Sequence, residues 1–298
     1  MILSFLALAA AQAPSLPSSP DPMPPRRAAP PVYAPAAPAL PSPRAARPAD
    51  SPAEARYRAC TSEIRTNADS AVATANAWQA QGGGLLARQC LGLALVALER
   101  WPAAAAAFEQ AAREAEAADD PRRADFWVQA GNSWVAAGEG PRALAAFDAA
   151  LLAPSLTDEL RGEVHLDRAR AQVALGNPIA ARTEIDRALQ LVPGDPFAWY
   201  LSAALARRGN DLSRAGTDIA RARALAPDNP DILLLAGTLA GLAGNMEEAE
   251  RLYRRIATAA PASDAGRQAL ESLATLREVE VPAPAAAPAT PAPRPQSR

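Results

Sequence analysis

The stretch "AGNSWVAAGEGPRALAAFDAA" (130–150) reads as two helices and the turn between them. Apolar residues recur at helical spacing up to Ala137, and again from Ala143 to Ala150. The break between them is Gly138-Glu139-Gly140-Pro141. Glycine suits the end of one helix, and proline suits the first turn of the next. The same order recurs in "LGLALVALERWPAAAAAFEQAA" (91–112), "ARAQVALGNPIAARTEIDRALQLVP" (169–193) and "AGTLAGLAGNMEEAERLYRRIATAAP" (236–261). The second helices align. Ala104, Ala143, Ala181, Ala215 and Ala249 share one slot, 39, 38, 34 and 34 residues apart. Four residues later stand Phe108, Phe147, Ile185, Ile219 and Tyr253; three later come Ala111, Ala150, Ala188, Ala222 and Ile256. A small residue, a large one four later and a small one three further on make a single helical face. Pro154, Pro193, Pro227 and Pro261 follow the last four of these helices.

This pattern resembles the tetratricopeptide repeat family. Leu91-Gly92, Ala130-Gly131, Arg168-Ala169 and Ala236-Gly237 fill the family's large–small pair, and Trp127 and Trp134 stand where the family places aromatics. The resemblance covers about 85–261 as five repeats. The fourth keeps a one-residue ambiguity of register at Gly209-Asn210-Asp211. It implies an all-α solenoid of antiparallel helix pairs. Residues 53–80, broken near Asn67, read as a degenerate leading pair, and 262–278 read as a closing helix that covers the terminal apolar face. The helical domain is thus expected over 53–278.

The flanks differ. Fourteen of the 30 prolines lie between Pro14 and Pro52, and six between Pro282 and Pro295. Chain of this kind buries too little apolar area to offset its ordering entropy, so 14–52 and 279–298 are expected to be disordered linkers. Residues 1–13, "MILSFLALAAAQA", form a short apolar run ending Ala-Gln-Ala, the pattern of a cleaved export signal, although no basic residue precedes the run. The run is too short to span a bilayer. Export to the periplasm is the expectation; a cytoplasmic protein with a different start is the alternative.

Composition narrows the chemistry. The formal net charge is -2, which gives no strong field toward nucleic acid or acidic lipid. All 30 basic residues are arginine, so no lysine is present to hold a nucleotide phosphate or form a Schiff base. One histidine, His165, and two cysteines cannot build an ordinary structural zinc site. Gly82-Gly83-Gly84 lacks the Gly-Lys-Ser/Thr ending of a phosphate loop and reads as a joint between helices. His165 reads as a packing residue, Asp119-Asp120 and Glu247-Glu248 as helix-start carboxylates, and the arginine pairs as solvated faces. No catalytic residue, cofactor or metal is expected.

In the family that this pattern resembles, the first helices line a concave groove that takes an extended peptide or a partner helix. Carried onto this chain, the lining residues are Gln89, Leu93, Asn132, Arg170, Val173, Arg207 and Thr238, joined by Trp199 in one of its two registers. Asn132 and Arg170, one repeat apart, suit a peptide backbone or carboxylate. The family's carboxylate clamp uses lysine and is not expected here. Cys60 and Cys90 fall on neighbouring first helices, and in an exported protein they would form a disulfide contributing about 3–4 kcal/mol. In a cytoplasmic protein they would be buried thiols. The leading expectation is a non-catalytic scaffold for another protein in the bacterial envelope. A self-associating structural component and an enzyme subunit with an unrecognised site are the alternatives.

Overall fold

The structure, a computed structural model, describes residues 51–154 and 156–280. The apolar run 1–13, expected to be an export signal, residues 14–50 of the expected leading linker and 281–298 of the expected tail fall outside the described residues.

Thirteen α-helices make up the described residues. A leading pair, α1 (Pro52–Ile64) and α2 (Ala68–Ala80), breaks at Asn67. Five repeats follow: α3 (Gly84–Ala97) with α4 (Trp101–Ala117), α5 (Arg123–Ala136) with α6 (Gly140–Leu151), α7 (Asp158–Ala174) with α8 (Pro178–Leu191), α9 (Pro196–Arg208) with α10 (Leu212–Leu225), and α11 (Pro230–Leu242) with α12 (Met246–Ala259). Helix α13 (Asp264–Glu280) closes the stack. The fold is an all-α solenoid of helix pairs.

The helix starts are written in polar side chains. Asp195, Asp211, Asn229 and Asn245 each accept a hydrogen bond from a first-turn backbone N–H of the helix that follows. Proline occupies the first turn of α4, α6, α8, α9 and α11, where its missing N–H costs nothing. The turns inside the five repeats share one left-handed residue: Glu99 (φ 56°), Gly138 (77°), Gly176 (76°), Asn210 (59°) and Gly244 (81°). Each donates its N–H three residues back, and the next residue reaches five back, to the carbonyl of Leu95, Trp134, Gln172, Ala206 and Ala240 respectively. This is the glycine-type helix stop. Glu99 pays for a conformation that its four counterparts adopt as glycine or asparagine. Glu99→Gly is expected to stabilise the array by about 1 kcal/mol, read from urea unfolding; a lower midpoint would contradict the strain.

That row also settles the register of the fourth repeat. Counting back seven residues from each left-handed position gives Gly92, Gly131, Ala169, Ala203 and Gly237. All five are buried. Asn210, not Gly209, is therefore the counterpart of the turn glycines.

The small residues exist because the second helix presses on them. A Cβ built on Gly92 would sit 2.5 Å from the Phe108 ring, on Gly131 2.4 Å from Phe147, and on Gly237 2.6 Å from Tyr253. Where the second helix carries Ile185 or Ile219 instead of an aromatic ring, the small position is alanine (Ala169, Ala203). Glycine opposite a ring and alanine opposite isoleucine keep the filled volume similar, as close packing requires. The core runs from repeat to repeat, one cluster from Leu95 to Ala171 and a second from Ala203 to Leu273.

First helices of successive pairs meet: α5 touches α7, α9 touches α11, and α11 touches α13. Second helices of successive pairs make no contact of that extent among the described residues. The first helices therefore lie on the inner side of the stack and the second helices on the outer side.

Candidate functional site

Three rows of side chains run along the inner side, each set by its offset from the small residue. The row one residue after it is Leu93, Asn132, Arg170, Ala204 and Thr238. The row three before it is Gln89, Val128, Leu166, Tyr200 and Leu234. The row four after it is Val96, Val135, Val173, Arg207 and Gly241. Offsets of three and four share a helix face. Only Leu166 and Arg170 of these positions are fully buried; the rest are half-buried, as a groove floor is. The surface is largely apolar, with one strongly polar side chain from each repeat: Gln89, Asn132, Arg170, Arg207 and Thr238.

The middle is a hydrogen-bonded triad across α5 and α7. Asn132 Nδ2 donates to Asp167 Oδ2 at 2.9 Å, and Arg170 Nη1 donates to Asp167 Oδ1 at 3.0 Å. Asp167 is 2% exposed and Arg170 9%. Arg170 is thus not an open recognition residue: it neutralises a buried carboxylate, and removing it would strand that charge. Its part is to hold Asp167, which in turn orients Asn132 on the ridge. Thr238 donates to the Leu234 carbonyl at 3.0 Å and lies 3.4 Å from the Tyr253 hydroxyl. Phe197 and Tyr200 stack with centroids 5.8 Å apart on α9.

Gln89, Leu93, Asn132, Val173, Arg207 and Thr238 all fall on the inner rows and remain partly accessible. Trp199 does not. Fixing the fourth register puts it four residues before Ala203, in line with Arg88, Trp127 and His165. That row turns toward the second helices or the connecting segments: Arg88 pairs with Glu114, Trp127 Nε1 donates to Glu116 at 2.6 Å, and Trp199 Nε1 donates to the Pro193 carbonyl at 2.9 Å. The groove residue of that helix is its neighbour Tyr200. Sequence reading missed Val96, Val128, Val135, Tyr200, Ala204, Leu234 and Gly241. The constant spacing from the small residue could have found them, once the register was known.

His165 packs as expected. Its Nδ1 lies 2.7 Å from Glu184 Oε2, and both side chains are nearly buried between α7 and α8. Burial pushes the Glu184 carboxyl up, but the His165 hydrogen bond and the Arg168 charge outweigh it and hold it below the usual range. Among the described residues no group of three or more His, Cys, Asp and Glu side chains has metal-binding geometry, and no helix is long and apolar enough to cross a membrane.

At the leading end the Cys60 and Cys90 sulfurs meet at bonding distance in a small buried cluster with Ala75, with their Cα atoms 6.3 Å apart. The glycine run beside them makes the turn from α2 to α3. Gly82 and Gly84 take positive φ, and a Cβ on Gly83 would sit 2.5 Å from the Trp78 indole. The run is a tight turn under a tryptophan.

Comparison with known proteins agrees with this architecture. Tetratricopeptide repeat models match residues 91–157, 162–206 and 205–264. A search of curated protein sequences finds no match. Among solved structures the chain is similar to PilW, described as a widely conserved type IV pilus biogenesis factor. That match has 19% identity, a TM-score of 0.58, and covers 74% of this chain and all of that one. It is similar to PilF of Pseudomonas aeruginosa, with 17% identity, a TM-score of 0.54, and coverage of 74% and 97%. It is also similar to a tetratricopeptide repeat protein of Parabacteroides merdae, with 12% identity, a TM-score of 0.57, and coverage of 74% and 84%. At such identities these likenesses speak for the fold. The repeat models, which together span more than half of the chain, speak for the family: this protein belongs to the tetratricopeptide repeat family.

Proposed function

We propose that this protein is a non-catalytic scaffold that holds an extended peptide or a helix of another protein along the inner face of its first helices. The observation that carries this is the set of three in-phase rows. They give five consecutive repeats a mostly apolar, largely half-buried floor, with Gln89, Asn132, Arg207 and Thr238 as its accessible polar positions. A floor that repeats at fixed intervals matches an occupant that repeats, as a strand or a helix does. The envelope is the proposed location. It rests on the apolar run of 1–13 and on the meeting of Cys60 and Cys90, since disulfides persist in oxidising compartments.

The test is site-specific photocrosslinking in the native host. A benzophenone side chain at position 132, 200 or 238 is expected to trap one protein, and the same group at the exposed position 110 of the second helix α4 is expected to trap none. With the trapped segment made as a peptide, Tyr200→Ala should weaken its binding about tenfold, the loss of a buried aromatic contact. Equal trapping from position 110, or unchanged affinity in Tyr200→Ala, would reject the inner-face reading.

A further inference from the structure

The outer face holds a second surface, found by comparing the furrows between successive second helices. Five residues after the shared alanine of the second helices come Glu109, Asp148, Asp186, Ala220 and, in the last repeat, Arg254. The first three carboxylates each reach into the following repeat. Glu109 accepts from Trp134 Nε1 at 2.7 Å, Asp148 pairs with Arg168, and Asp186 accepts from Arg214 Nη2 at 2.8 Å. Ala220 has no such group to offer to the fifth repeat. The α4–α6 furrow holds a cleft of about 340 Å³, in which Glu109 faces a single arginine, Arg142; the α10–α12 furrow holds one of about 410 Å³. The floor of the cleft is Ala224, Pro227 and Leu252, and its walls carry Arg223, Arg251 and Arg255.

The charge balance of this cleft is uneven. Arg223 and Arg251 share one carboxylate, Glu248, with Arg223 Nη1 donating at 3.0 Å. Arg255 pairs with Asp228, which is itself 84% exposed. Three guanidiniums, each a fork of five donors, thus meet two carboxylates. The apolar floor suits the methylene stem of an acidic side chain, with its head among the arginines. We infer that the α10–α12 furrow is a docking site for an acidic segment of a partner protein, whose carboxylate supplies the negative charge that this furrow lacks beside Arg223, Arg251 and Arg255. The site lies on the opposite face from the inner rows and stands independently of them.

The test uses the full chain and a fluorescein-labelled hexaglutamate peptide, followed by anisotropy at low and at physiological salt. Saturable binding that weakens with salt is expected. Arg251→Ala combined with Arg255→Ala should weaken it at least tenfold. Ala220→Glu, which places a carboxylate in the lining of the cleft, should do the same with an unchanged or higher melting temperature, so that lost binding is not lost fold. Tyr200→Ala on the inner face should leave it unchanged. Absence of hexaglutamate binding, equal binding by either outer-face variant, or equal binding of a hexathymidine oligonucleotide would each overturn the assignment; the last would mark a general anion surface.

Discussion

Gly131→Ala is expected to destabilise the array by about 3 kcal/mol, and Phe147→Ile introduced with it to return most of that loss. The added Cβ would stand 2.4 Å from the Phe147 ring, which is fully buried and has no room to retreat. Overpacking of this kind forces the helices apart or the ring off its rotamer, at about 1–3 kcal/mol and occasionally more. The companion change is taken from the protein itself. In the third repeat the same two positions hold Ala169 and Ile185, both fully buried, so the pair Ala–Ile is a solution that this fold already uses. Phe147→Ile alone should cost about 2 kcal/mol through the space it leaves. The two changes are therefore expected to be strongly non-additive, as contacting residues are. Thermal or urea unfolding of the four proteins of the cycle measures the coupling. Additive losses would show that glycine and ring are not matched as a pair.

That pairing explains what could be read before the structure. The second helices announced themselves through Ala104, Ala143, Ala181, Ala215 and Ala249, because that slot faces a close helix–helix contact and tolerates nothing larger. All five are fully buried. The first helices were harder to read. Their small position is glycine or alanine depending on what stands opposite, and the fourth repeat offers Ala203 among neighbours that include Ala204 and Ala206, so composition alone cannot set its register. The left-handed turn residue does set it, but Asn210 lies next to Gly209, and the glycine is the more obvious candidate for that conformation. Trp199 is ambiguous in sequence for this reason alone. Arg170 is a different case. Its spacing correctly puts it on the inner row; what spacing cannot show is that Asp167, three residues before it on the same helix, is buried and claims it. The polar character of a groove depends on which charges are already paired, and pairing is a property of packing rather than of sequence position. The shortage of carboxylate in the α10–α12 furrow is equally hidden, since only packing shows that Arg223 and Arg251 share Glu248.

Reduction of the Cys60–Cys90 bridge is expected to produce the second large effect, confined to one end of the molecule. The cross-link would close a loop of about 31 residues, contributing about 3–4 kcal/mol in the chain-entropy model. The leading pair depends on it more than the other repeats depend on any single contact. The packing around the cysteines is a small cluster with Ala75, Tyr57, Ile64 and Leu91, and the apolar residues of α2 add only Ala71 and Trp78 to the fully buried set. Solenoids transmit stability through neighbour contacts, so loosening α1 and α2 should leave the repeats beyond α4 nearly untouched. Hydrogen exchange of the oxidised and reduced proteins is the measurement. Amides of 52–80 should lose about two to three orders of magnitude in protection on reduction, the fold-change that 3–4 kcal/mol corresponds to. Those of α9 to α12 should keep theirs. The variant carrying Cys60→Ala and Cys90→Ala should behave as the reduced protein does, which separates loss of the bond from any effect of the reductant. Protein purified from its native compartment should show no reactive thiol when denatured without reductant. Two reactive thiols there, or equal protection of 52–80 in all three forms, would mean that the sulfurs meet in the core without a bond and that the argument for an oxidising compartment falls with it.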